Sequence, residues 1–409
     1  MDADIIIVGA GPSGLCLAQS LSGQGISVVL VEAQTQSSLA QPEFDGREIA
    51  LTQHSVALLK DLGLWSQLAA QDLSPLRDAK IMNGLSPCNL LISHKWGSHP
   101  ELGWLVSNHL IRKAAYDCVL ASQNKNGDIQ LISGQRVARL STQAEQVEVT
   151  LDNGTHLTAR LVVSADSRFS STRRMMGIPA QMHDFGKNML VCCMSHEQPH
   201  DHVAWEWFDF GQTLALLPMN PDPTTGMNRS SVVITLPSEG IDQLMQAEVA
   251  DFEIQVRQRF HDRLGSMHLL STRHNYPLVG VYPERLTALR YAAVGDAAVG
   301  MHPVTAHGFN FGLLGIEALS KGLLQAHQAG HDVGNARTLA HYNRQHQMAT
   351  RPLYLLTRWL TDLYTHESVP GKLLRETLLR VAQNWSPIKK AIARSLTGNG
   401  HLHQRGRLF

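Results

Sequence analysis

No stretch of this chain is apolar for long enough to cross a membrane. Every uninterrupted apolar run falls well short of the about 18 residues that a spanning helix needs. Nor is there an excess of either charge: Lys plus Arg come to 35 and Asp plus Glu to 35, so the formal net charge is zero. A general nucleic-acid binder would show a basic excess, so no nucleic-acid partner is expected. Cysteine is scarce, at five residues with no Cys-x-x-Cys spacing. That sets aside a disulfide scaffold and a structural metal site, and it suggests reduced thiols in a cytoplasmic setting. The opening MDADIIIVGAG puts acids before a short apolar run, where a secretory signal would put Lys or Arg before a longer one. The chain therefore reads as soluble, or peripheral to the inner face of a membrane. It shows no internal repeat and no low-complexity segment. At 409 residues it is too long for one small core, and two intimately packed domains are expected.

What is present begins at the N-terminus. Ile5-Ile6-Ile7-Val8 is a continuous apolar run, the mark of a strand buried on both faces. GAGPSG follows, with Gly9, Gly11 and Gly14 in G-x-G-x-x-G spacing and Pro12 and Ser13 between them. LCLAQSLSGQG then reads as a helix ending near Gly23 or Gly25, and ISVVLVE as a second buried strand ending on Glu32. Together these make a βαβ unit with a dinucleotide fingerprint. Glycines let the backbone approach a pyrophosphate, and the helix N-terminus offers it free N–H groups. Glu32 can accept hydrogen bonds from ribose hydroxyls and would repel a 2′-phosphate. NAD and FAD both satisfy this pattern.

A second stretch separates them. GDAAVGMHPVTAHGFNFG, from Gly295 to Gly312, puts an acid after the apolar run YAAV and a nearly side-chain-free backbone at the start of a helical pattern. A plain NAD dehydrogenase has no use for it. A long FAD must be held again far from its adenine: Asp296 can bind ribityl hydroxyls. Gly308, Phe309 and Asn310, at a helix N-terminus, can direct N–H groups at the flavin edge where negative charge collects on reduction.

Taken together, these segments resemble the class A flavoprotein monooxygenases of the p-hydroxybenzoate-hydroxylase-like fold, and among them most closely the ubiquinone-biosynthesis aromatic hydroxylases. The third motif of that family runs close to GDAAHxxHPxxGQGxN. Gly295, Asp296, Ala297, Ala298, His302, Pro303, Gly308, Phe309 and Asn310 match it, whereas Val299, Ala306 and His307 depart from it. The middle motif, D-G-x-x-S-x-x-R, appears as DSRFSSTR with Asp166, Ser170 and Arg173 in place and Ser167 where the family has Gly. Arg47, in FDGREIALTQHSVALLKDLGLW, and Arg112, in ELGWLVSNHLIRKAAYDCV, stand where the family has residues beside FAD. The resemblance also assigns Val137 to the cofactor site. It puts the Pro303 backbone and His307 near the flavin, where His307 would donate a proton or contact a phenolate, or else hydrogen-bond backbone at the helix start. Trp205 and Trp207 alternate along a strand. They either line an aromatic pocket or fill core, and core is favoured.

The resemblance implies an α/β fold: a Rossmann-like FAD-binding domain of glutathione-reductase type, an inserted mixed β-sheet domain on the substrate side, and C-terminal helices. The FAD-binding domain is expected over 1–75, 100–175 and 275–335, the substrate-side sheet over 76–99 and 176–274, and a helical region over 336–409. From Gly371 that region is strongly basic, a face for an anionic membrane surface or a pathway partner, or a solvated face of helices packed on the body. The implied reaction is hydroxylation of a prenylated phenol or quinol by O₂ through a flavin C4a-hydroperoxide, with NAD(P)H as electron donor and ubiquinone-pathway proteins as partners. No Ser-His-Asp, Cys-His or metal constellation stands out. Two other readings stay open: a flavin-dependent reductase of an isoprenoid double bond, and a non-catalytic subunit binding flavin or quinone.

Overall fold

A computed structural model describes residues 1–84, 86, 89–209, 211–301 and 308–365. The basic segment from 371 lies outside the described residues. The apolar N-terminal run becomes the strand Ala3–Val8, with Ile5, Ile6 and Ile7 fully buried. It is the centre of a parallel sheet. Val28–Glu32 pairs with it on one side, Ile5 opposite Val28, and His156–Ser164 on the other, Ile5 opposite Leu161. Ile129–Ser133 and Tyr291–Ala293 extend the sheet outward, again in parallel. The strands Val137–Thr142 and Val147–Leu151 attach as an antiparallel flap to His156–Ser164. Asn153-Gly154 makes the turn into that last strand, Gly154 at φ +85° and the Asn153 side chain accepting from the Thr155 N–H at 2.9 Å.

Helix Pro12–Leu21 packs against Asn108–Asn126 and Gly308–Gln328, and Ala336–Thr365 lies on the last of these. The Tyr342 hydroxyl, buried on that final helix, donates to the Ala293 carbonyl at 2.7 Å and ties it to the parallel sheet.

A second large sheet stands beside this body. Its order is Met267–Leu269, Ala180–His196, Asn228–Leu236, Gln212–Met219, Val203–Asp209, Asp78–Asn83 and Asn89–Ser93, with His274–Pro283 also paired to Ala180–His196. Helices Ser238–Gln246 and Val249–Arg259 cover one face, where Leu190, Trp207, Leu216, Val232 and Phe252 form a separate core. Trp205 and Trp207 point into this core, Trp207 completely buried with its Nε1–H donated to the Gly84 carbonyl at 2.9 Å. They are packing residues. The covering sheet also runs past the expected boundary at 274. His274–Pro283 is one continuous strand, held by nine register pairs to Ala180–His196, and only Tyr291–Ala293 returns the chain to the parallel sheet. A small sheet of Glu48–Thr52, Gly103–Ser107 and Ser74–Leu76 bridges the two bodies, and the Asn220 N–H donates to the Ser74 hydroxyl at 2.8 Å.

Candidate active site

Three segments that are distant in sequence meet at the C-terminal ends of the parallel strands, where open α/β sheets bind ligands. The first is the fingerprint turn. Gly9 donates to the Val31 carbonyl at 2.8 Å, and Ala10 to the Glu32 carboxylate at 2.6 Å. The other Glu32 oxygen accepts from the Gln34 N–H at 2.8 Å. Two backbone donors thus fix the carboxylate at the strand end with lone pairs remaining for a ribose.

The glycines divide by task. A Cβ on Gly14 would stand 1.9 Å from the Gly9 carbonyl oxygen, so this position is closed by packing of helix on strand. A Cβ on Gly11 would meet nothing within 4 Å. Its open side lies at the start of helix Pro12–Leu21, which has no acidic residue in its first turn and no side-chain cap. A Cβ on Gly308, at the start of the other helix, meets nothing among the described residues, and that first turn is also free of acids. Both helix starts are therefore suited to the negative end of a ligand.

The second segment is the Gly295–Ala297 turn at the end of Tyr291–Ala293. Gly295 has φ +59°, and a Cβ there would come 2.5 Å from the Ser13 hydroxyl oxygen. The same Ser13 oxygen would be 3.2 Å from a Cβ on Gly312. Ser13 is thus wedged between the Gly295 turn and the helix that follows. The Asp296 side chain is 42% exposed and pairs with Arg168, whose Nη2 is 3.1 Å from its Oδ2.

The third segment is the DSRFSSTR loop. Asp166 Oδ2 accepts from the Thr172 N–H at 3.2 Å and the Thr172 hydroxyl at 3.0 Å, while Oδ1 is buried without a protein partner. Ser170 caps the helix Ser171–Met175 through the Arg173 N–H at 2.9 Å. Buried Arg173 donates to the Arg168 carbonyl at 3.1 Å and the Ala297 carbonyl at 3.4 Å, joining this loop to the second segment. Ser167 holds φ +155°, a region that favours glycine and costs a side-chain-bearing residue about 1–3 kcal/mol. A cavity of about 460 Å³ opens between this loop and the fingerprint, with Gly9, Glu32, Val137, Asp166 and Ser167 in its wall. Gln135 and Arg136 also line it, and nothing in their sequence context announced them.

The remaining residues expected at the site are placed as follows. Arg47 Nε donates to Asp45 at 3.0 Å, and the guanidinium lies 5.5 Å from the Tyr276 ring centroid. Burial pushes the Asp45 carboxyl up, but the Arg47 charge and hydrogen bonds outweigh it and hold Asp45 below the usual range. Arg112 donates to the Gln34 side chain at 3.2 Å, next to Glu32. Phe309 packs on the main core. Asn310 is buried, its carbonyl accepting from the Thr52 N–H and the Ser55 hydroxyl and its amide donating to the Ala50 carbonyl. Its side chain anchors the Glu48–Thr52 strand. Pro303 and His307 lie outside the described residues.

The arrangement fits FAD. It offers an open cradle at Gly11, a ribose-facing carboxylate at Glu32, a buried unpartnered Asp166 oxygen in the cavity wall, and a second open helix start at Gly308. Among the described residues no group of His, Cys, Asp and Glu could hold a metal ion, and no helix is long and apolar enough to cross a membrane.

A family model described as an FAD binding domain matches residues 2–350. The chain is 41% identical over 402 residues to the ubiquinone hydroxylase UbiM of Neisseria meningitidis, covering 97% of this chain and 85% of that protein. It is 31% identical to the ubiquinone hydroxylase UbiL of Rhodospirillum rubrum, covering 97% and 90%. Among solved structures, p-nitrophenol 4-monooxygenase PnpA of Pseudomonas putida superimposes with a TM-score of 0.75 at 15% identity, over 97% of this chain and 98% of that one.

Proposed function

This chain belongs to the FAD-binding-domain family, and from that membership we propose that it hydroxylates the aromatic ring of a prenylated phenol or quinol on the ubiquinone pathway, using O₂. It is an FAD-dependent monooxygenase of the p-hydroxybenzoate-hydroxylase-like fold. Bound FAD supplies the electron transfer and the oxygen activation; NAD(P)H is the electron donor we assign. One oxygen atom enters the ring and the other leaves as water, which balances the two electrons from the nicotinamide.

The chain's own residues hold the cofactor and exclude water. Glu32 takes the adenosine ribose, with Val137 in the wall beside it. Gly9, Gly11, Pro12, Ser13 and Gly14 shape the pyrophosphate turn. Asp296 takes the ribityl chain. Arg47, Arg112 and Asp166 border the cofactor, and the backbone from Gly308 to Asn310 faces the flavin edge. Pro303 and His307 belong beside the ring. The observation that carries this reading is the Ser13 wedge, which makes the pyrophosphate turn and the flavin-end turn neighbours, as one extended FAD requires.

We also propose a peripheral membrane contact. Helix Ala336–Thr365 exposes Met348, Leu355 and Leu356 beside Arg344 and Arg351, and the sequence beyond it is basic. A substrate with a prenyl tail would be met there.

The test is incubation of the FAD-loaded protein with NAD(P)H, a demethoxy- or dehydroxy-quinol and ¹⁸O₂. One labelled oxygen in the ring is expected. Label arriving only from heavy water, or saturation of a side-chain double bond, would replace this reading with one of the alternatives, and so would a protein that never takes up flavin.

A further inference from the structure

The covering sheet has two faces, and the register of its strands says which residues share each. Glu206 sits opposite Ile81 on one neighbour and Ala215 on the other. Ala215 is opposite Val233, Val233 opposite Val191, and Val191 opposite His274. Side chains alternate along a strand, so this row lies on the face away from Trp205 and Trp207. The tryptophan face is sealed by the two helices. The Glu206 face looks toward the FAD-binding body. At its far end a Cβ on Gly46 would stand 2.8 Å from the His274 ring, and the Tyr276 hydroxyl donates to the Asp45 carbonyl at 2.6 Å. Arg47 follows Gly46 directly.

Glu206 is partly buried among Ile81, Ala215 and Val233, which are themselves partly buried. Among the described residues it has no hydrogen-bond or ion-pair partner. Burial alone pushes its carboxyl up to about 8, so near neutrality it carries its proton and can donate as well as accept. Glu48 makes the contrast. Burial pushes it up as well, to about 7, but it receives the Ser107 hydroxyl. A carboxyl left unpaired in apolar surroundings is costly, and an aliphatic residue would fill the same place. What suits it is a ligand with an apolar body and one hydroxyl group.

We propose that Glu206 receives the ring hydroxyl of the substrate, and that this hydrogen bond decides which edge of the ring is turned toward the flavin. The inference rests on the reading of the substrate as a phenol or quinol. It makes Glu206 a polar anchor among the aliphatic Ile81, Ala215 and Val233, and the source of selectivity for a free hydroxyl over an alkylated one.

The experiment uses the full-length FAD-loaded protein, a short-chain prenylated phenol and its methyl ether. Binding of each is followed by the perturbation of the flavin spectrum. The wild-type protein should prefer the phenol by about tenfold or more, the factor that one buried hydrogen bond carries. Glu206→Leu should lose that preference while keeping its affinity for the ether and its FAD. Glu206→Gln, which can still hydrogen-bond, should keep most of the preference, and its FAD content reports folding independently. If Glu206→Leu still prefers the phenol as the wild type does, while ring hydroxylation persists in the wild type, this inference is overturned and the monooxygenase reading stands. If the wild type binds neither ligand and incorporates no oxygen, both are overturned.

Discussion

In the parallel sheet of the FAD-binding body, Ala3–Val8, Val28–Glu32 and the final residues of His156–Ser164, from Leu161 on, are buried on both faces. Their chemistry is confined to the ends: Glu32 closes one strand, and Ser164 pairs with the Tyr291 hydroxyl at 2.6 Å. In the covering sheet one face is sealed and the other turns to the first body, and polar groups stand along the strands and in the loop that follows His196. His196 bonds the Ser230 hydroxyl at 2.8 Å and the Gln198 carbonyl at 2.7 Å. His200 donates to the Met219 carbonyl at 2.9 Å, Ser231 has a buried hydroxyl without a partner among the described residues, and burial pushes the Glu206 carboxyl up. One sheet offers backbone and a terminal carboxylate at its strand ends. The other presents side chains across its face. The first should fail by steric intrusion, the second by titration.

The largest contrast lies within the fingerprint. Gly14→Val puts atoms into the Gly9 carbonyl and should destabilise the protein beyond the about 1–3 kcal/mol typical of overpacking. Little soluble protein is expected. Gly11→Val has room for its Cβ, so the apoprotein should melt near the wild-type temperature while FAD affinity falls at least about tenfold. Thermal melts of apoprotein and FAD titrations read both, and equal melting of the two variants would break the distinction.

Next comes the alkaline side of the covering sheet. Glu206 has a folded pKa of about 8 against 4.5 when unfolded. Its stability contribution is present below pH 4.5 and is lost as pH rises through 8, at about 1.4 kcal/mol per pKa unit as a ceiling. Glu206→Gln should flatten urea-derived stability across that window. An unchanged slope would mean that the carboxyl is already ionised.

A smaller effect lies on the acid side. Burial lowers His200 to about 4 from 6.5. Its contribution is present above pH 6.5 and is lost as pH falls toward 4, again at about 1.4 kcal/mol per unit at most. His346, in the FAD-binding body, is lowered to about 4 by burial as well, so a His200→Gln variant should keep part of the acid loss. If it keeps all of it, His200 plays no part in acid unfolding.

The smallest effect concerns Asp296→Ala. It should cost about 1.5–3 kcal/mol of FAD affinity and leave apoprotein stability within about 0.5 kcal/mol, because its partner Arg168 also donates to the Val279 carbonyl at 3.0 Å. Isothermal titration of apoprotein with FAD measures the first quantity and urea unfolding the second.

The same division explains what could be read from the sequence. Gly9, Gly14, Glu32 and the Gly295-Asp296 pair were legible because a backbone geometry admits few residue types, and the type then announces the geometry. The alternation in Trp205-Glu206-Trp207 gave the parity of that strand but not the side on which the helices lie, so Glu206 passed unnoticed between two tryptophans. Only the register across four strands assigns its face. The boundary expected at 274 falls at the start of the strand His274–Pro283, because no local pattern tells which sheet an apolar stretch joins. Gln135 and Arg136 reach the cavity through the placement of a flap, which no local pattern encodes.

Ser13 stands against both Gly295 and Gly312, so the fingerprint turn and the Gly295 turn touch through one hydroxyl-bearing side chain. A displacement at either turn is felt at the other within a single van der Waals contact. On the proposed placement of FAD, the mount would have no slack between the two turns, and seating of one half of the cofactor would be coupled to seating of the other. A ligand carrying only one of the halves would seat at one turn and gain nothing from the other.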